Sequence, residues 1–192
     1  MEDFILYFKM GLNHVLDFAA YDHILFLIVL AIVFTYFEIK KLIWLVTLFT
    51  LGHSVTLALS AYQVLNISIE LIEFLIPLTI FITGFVNIIN SNKSSEKNNT
   101  NLIFALLFGL IHGLGFSNYF RMMIGQEENK LYPLIEFALG IEVAQIIIVL
   151  GILILGSIFQ NLFKIDKRDW ILVGSSIVIG FAIQMMTDRV FW

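Results

Sequence analysis

Six apolar stretches constrain this chain more than any other feature, at about residues 21–37, 42–62, 67–89, 102–116, 131–159 and 170–186. A helix needs roughly 20 such residues to cross a hydrocarbon core of about 30 Å, and most of these runs approach that length. Inside lipid the backbone N–H and C=O groups must be paired within the segment itself, which favours helices over isolated strands. Composition agrees: 59% hydrophobic and 14% charged residues leave too little charge to cover a soluble protein of 192 residues. The expected fold class is therefore all-α, a polytopic membrane helical bundle with six transmembrane helices in a single domain, residues 1–192. Residues 4–19 are shorter and carry Lys9, so they are expected to form a short N-terminal helix, interfacial or re-entrant. Pro77 should kink the third span. Residues 90–101, rich in Asn, Ser, Lys and Glu, read as a solvated loop, with further connections at 117–130 and 164–169.

Basic residues give the expected orientation. Lys40 and Lys41, then Lys93 and Lys97, then Lys164, Lys167 and Arg168 occupy every second connection. Residues 61–66 hold no base, and Arg121 and Lys130 are offset by Glu127 and Glu128. By the positive-inside rule the three basic connections are cytoplasmic in an inner (cytoplasmic) membrane, with both termini outside if the first helix does not cross. A net charge of −4 with no basic stripe gives no reason to expect a nucleic-acid partner. The absence of cysteine excludes disulfides and thiolate metal sites. Met1-Glu2-Asp3 lacks the basic start of a secretory leader, so no cleaved leader is expected.

Within these apolar segments lie all four histidines: His14, His23, His53 and His112. Ionisable groups at membrane depth are costly and tend to mark function. At 1.5 Å per residue, His53, His112 and Glu142 fall near the midplane, with Asp22 and His23 a turn or two above them on the outer side. Imidazole and carboxylate together suit nickel, cobalt, zinc or iron. Asp22 could ligate directly or orient the imidazole of His23 through its other nitrogen. The bland alternatives are helix capping by His14 and Asp17, and close helix crossings at the small residues around His53 and His112. Glu142 and Gln145 share one helix face. Glu70, Glu73, Asn87, Gln184 and Asp188 sit nearer span ends, where ordinary interfacial polarity explains them.

Four ordered motifs resemble the HupE/UreJ family of small membrane proteins, in particular its shorter second branch. They are His14 with Asp22-His23-Ile24-Leu25-Phe26, then Phe49-Thr50-Leu51-Gly52-His53-Ser54-Val55-Thr56-Leu57, then Phe108-Gly109-Leu110-Ile111-His112-Gly113-Leu114-Gly115-Phe116, then Gly140-Ile141-Glu142. Asp22-His23 and Leu51-Gly52-His53-Ser54 are more loosely similar to nickel/cobalt permease signatures. Two features depart from the family pattern: seven residues separate His14 from Asp22, a longer gap, and the leader common in the family is not expected here. The resemblance implies secondary uptake of a divalent transition metal, nickel or cobalt foremost.

Three functions then compete. In a permease or metal-binding protein, His14, Asp22, His23, His53 and His112 form the site, and Glu142 is a further ligand or exchanges protons. In a membrane-embedded zinc hydrolase opening toward the outer leaflet, the same histidines hold zinc and Asp22 or Glu142 serves the reaction as acid or base. In a structural polar network there is no metal, and every hydrogen bond is satisfied. The expected partners are the metal ion and the lipid bilayer, with a homo-oligomer left open.

Overall fold

A computed structural model describes residues 2–65, 67–92, 100–125, 127 and 129–192. These residues form seven α-helices: α1 (Glu2–Leu16), α2 (Asp22–Ala31), α3 (Ile39–Ala61), α4 (Ile69–Asn90), α5 (Thr100–Ile124), α6 (Leu131–Asn161) and α7 (Lys167–Asp188). Helices α3 to α7 are each long and apolar enough to cross a membrane. The chain is an all-helical integral membrane protein.

The first expected span is corrected. Residues 21–37 do not form one helix: α2 has ten residues, about 15 Å, or half a bilayer. The break follows from a capping box. The side chain of Glu38 accepts from both the backbone N–H (3.2 Å) and the hydroxyl (3.1 Å) of Thr35, starting a 3-10 turn at Tyr36–Glu38 that feeds α3. The carbonyl of Val29, near the end of α2, accepts a hydrogen bond from the Asn87 amide at 2.7 Å. Six full-length spans are therefore replaced by five, with α1 and α2 as shorter helices. The fourth span is longer than expected, because α5 runs on through Ser117 and Asn118 to Ile124. Pro77 lies buried within α4. Most of the expected loop at 90–101, with Lys93 and Lys97, lies outside the described residues, as does Glu128.

Polar contacts define the two ends of the bundle. At one end Glu38 meets Lys41 at 3.4 Å and Lys167 at 4.0 Å, so the starts of α3 and α7 share a face. At the other, Lys130 donates to the Ala61 carbonyl at 3.1 Å, and Tyr7 of α1 donates to Glu127 at 2.9 Å.

Glycines let the backbones touch, and these contacts set the depth of the histidines. A Cβ on Gly109 would meet the carbonyl of Phe49, one on Gly52 that of Leu106, and one on Gly113 that of His53. Phe49 faces Gly109 and His53 faces Gly113, so α3 and α5 run parallel in direct backbone contact. Gly11 and Gly140 bring α1 and α6 into backbone contact too, here antiparallel, against the carbonyls of Phe137 and Phe8. Small residues at such crossings gain dispersion contacts that lipid cannot supply. Helix α2 wedges between α6 on one side and α4 and α7 on the other.

Candidate metal centre

Four helices each bring one histidine into a cluster: His14, His23 and His53 surround a common point, and His112 lies beside His23. Ring centroids lie 4.6 Å apart for His14 and His23, 5.6 Å for His14 and His53, 5.8 Å for His23 and His53, and 5.4 Å for His23 and His112. Ligand atoms of His14, His23 and His53 all fall within 4.8 Å of one another. His23 is therefore level with His53 and His112, not a turn or two above them. The reason is the short α2: its first residues begin inside the bundle, where a full span would have begun at the surface.

The second ring nitrogen of two histidines is engaged. Asp22 accepts from His23 Nδ1 at 3.0 Å and from the His23 backbone N–H at 2.8 Å. His112 Nδ1 donates to the Phe108 carbonyl at 2.9 Å. Both bonds place the proton on Nδ1 and leave Nε2 with its lone pair, the arrangement of a ligating histidine. The Nε2 atoms of His14, His23, His53 and His112 are all buried and without a hydrogen-bond partner among the described residues, as is Nδ1 of His53. A buried polar atom left unpaired costs on the order of 1–3 kcal/mol. Four unpaired nitrogens in one cluster do not fit a self-satisfied polar network, and nitrogen donors of this kind suit nickel, cobalt or zinc.

Aromatic rings seal the cluster. Phe116 lies 3.9 Å from His14 between centroids, Phe26 lies 5.2 Å from His112, and Phe49 lies 5.1 Å from His112. Phe26 and Phe108 also line a largely apolar cavity of about 120 Å³ bordered by Val29, Thr83, Asn87 and Phe104, on the side of the cluster toward the break in α2.

Glu142 is placed differently. Its carboxylate accepts from Thr47 at 2.6 Å and from Thr50, both on α3, and not from an imidazole. The hydroxyls of Thr47 and Thr50 escaped the sequence reading; their one-turn spacing was the available signal, but pairing with Glu142 depends on how α3 meets α6.

Substituting Asp22→Asn keeps the shape and removes the charge that holds the His23 tautomer. Metal affinity measured by calorimetry is expected to fall roughly 10- to 100-fold, the usual cost of losing such a partner.

Comparison with curated proteins and with solved structures gives no match. A family model described as HupE / UreJ protein matches residues 1–189, nearly the whole chain, and the chain belongs to the HupE/UreJ family.

Proposed function

We propose that this protein binds a divalent transition metal, nickel or cobalt foremost, at His14, His23, His53 and His112 and carries it across an inner membrane as a secondary permease. Membership of the HupE/UreJ family supports a metal-transport or accessory role in the membrane. The observation that carries the assignment to these residues is the set of four buried Nε2 atoms lacking any hydrogen-bond partner among the described residues. Asp22 orients His23 and offsets part of the metal's charge. The cavity beside Phe26 and Phe108 lies between the cluster and the end marked by Lys41 and Lys167, which we assign to the cytoplasm.

The hydrolase alternative needs a free carboxylate beside the metal to activate water. Asp22 is engaged with His23, and Glu142 is held by two threonines, so the geometry supports the permease better.

Protein reconstituted in vesicles and loaded with a nickel-sensitive dye tests this directly. Saturable nickel or cobalt entry, lost in His53→Ala, is expected. Metal held tightly with no entry would instead support a resident catalytic metal. Protons compete for imidazole, so binding should weaken as pH falls and recover on raising it. Calorimetric titration at several pH values reads that slope.

A further inference from the structure

The carboxyl group of Glu142 anchors a polar constellation in the bundle that the histidine cluster does not absorb. It lies on α6, half-buried, eleven residues into the helix and so near membrane depth. Glu142 Oε1 accepts from Thr47 Oγ1 at 2.6 Å, and Oε2 is bonded to Thr50 Oγ1. Thr50 Oγ1 also lies 3.2 Å from the Val46 carbonyl and 3.5 Å from Gln145 Oε1. Gln145 is fully buried, and its Nε2 has no partner among the described residues. Thr47, by contrast, is exposed on the outer surface of the bundle.

Proton counting makes the group unusual. Thr50 has one hydroxyl proton and three oxygen acceptors around it. With Glu142 as a carboxylate, that proton goes to Oε2, and Gln145 Oε1 faces a bare oxygen. With a proton on Oε2, Glu142 donates to Thr50, and Thr50 in turn donates to Gln145. One added proton therefore completes a chain from Glu142 through Thr50 to Gln145. It also removes a charge from a lipid-adjacent position where no cation is ion-paired to it among the described residues. The charged and imidazole groups on the elements packed against α6 are Lys9, midway along α1, and His14 on α1, Asp22 and His23 on α2, Glu38 of the 3-10 turn, Lys40, Lys41 and His53 on α3, and Lys167, Arg168, Asp169 and Asp188 on α7; among the described residues none of these is hydrogen-bonded or ion-paired to Glu142.

We propose that Glu142, with Thr47, Thr50 and Gln145, is a proton-binding site separate from the imidazole cluster, through which proton movement is coupled to metal movement. The coupling rests on the permease assignment; the proton site does not. The link between the two is α3, where Thr50 and His53 stand one turn apart. Proton uptake reverses the direction of the Glu142–Thr50 bond and so acts on the helix that carries a metal ligand.

The test treats reconstituted wild-type protein with dicyclohexylcarbodiimide, which reacts with protonated carboxyls in apolar surroundings, and maps the adduct by peptide mass analysis. Labelling is carried out at pH 8 and at pH 6, and an adduct on Glu142 is expected. No adduct at either pH would overturn the proposal. Nickel entry driven by an imposed pH gradient is then compared between wild type and Glu142→Gln, with nickel binding measured on both as a check on folding. Loss of the gradient response in a variant that still binds nickel supports coupling, and an unchanged response overturns it. Labelled wild-type protein that binds no nickel would defeat the permease assignment and leave the proton site standing. Should the variant not fold, the labelling of wild-type protein decides.

Discussion

Replacing His53 and His112 together by alanine is expected to abolish high-affinity metal binding, a loss of at least about 100-fold, more than removal of an orienting partner alone costs. The two rings come from α3 and α5 and are both almost completely buried, at 0% and 1% exposure. Each has a buried, unpartnered Nε2 and a ring in contact with that of His23. Their removal leaves His14 and His23, too few to hold a divalent ion against water. The fold itself should survive, because the close α3–α5 approach is made at Gly52, Gly109 and Gly113 by backbone, and both substitutions leave those contacts in place. Calorimetry for binding and circular dichroism for helicity separate the two effects. Unchanged affinity in the double variant would place the metal elsewhere.

The second large effect concerns that contact. In Gly113→Val the new Cβ runs into the His53 carbonyl and the Thr56 hydroxyl, and neither can rotate away, since one is backbone and the other is bonded to its own helix. Forcing extra carbon into a packed site typically costs about 1–3 kcal/mol, and more where backbone is the obstacle. The variant is expected to melt well below wild type in detergent and to lose metal binding together with helix packing. Gly151→Val is the control: nothing lies within 4 Å of its Cβ position, so its melting temperature should stay close to that of wild type. Equal melting of the two variants would show that α3 and α5 do not touch as described.

Much of this was legible in the sequence because hydropathy and chemistry are local signals. The apolar runs at 42–62, 67–89, 131–159 and 170–186 correspond to α3, α4, α6 and α7 within a few residues. The four histidines stood out because imidazole is rare in oil. The first span was misjudged because the apolar run 21–37 continues through a break that hydropathy does not register. Its signal is the Thr35-x-x-Glu38 pattern, a helix start embedded in a helix-like run. The end of α5 was misjudged for the opposite reason, since Ser117, Asn118 and Arg121 look like a loop. Ser117 returns its hydroxyl to the Leu114 carbonyl, and Arg121 bonds Asn118 one turn away, so the polar residues stay helical. The partners of Glu142 required the packing of α3 on α6, which no single-chain periodicity encodes.

The depth of Asp22 and His23 shows how one boundary error propagates. A span starting at the surface puts them in the outer leaflet; a ten-residue helix that starts inside the bundle puts them beside His53 and His112. The meeting of His23 with His14, His53 and His112 depends on that shortening.

The measurement that bears most directly on the metal centre is X-ray absorption at the nickel edge of purified protein loaded with one equivalent of nickel, beside the His53→Ala, His112→Ala variant. A first shell of nitrogen with the outer scattering of several imidazole rings, lost in the variant, is expected. A shell of oxygen alone, or imidazole scattering unchanged in the variant, would contradict binding at the four-histidine cluster.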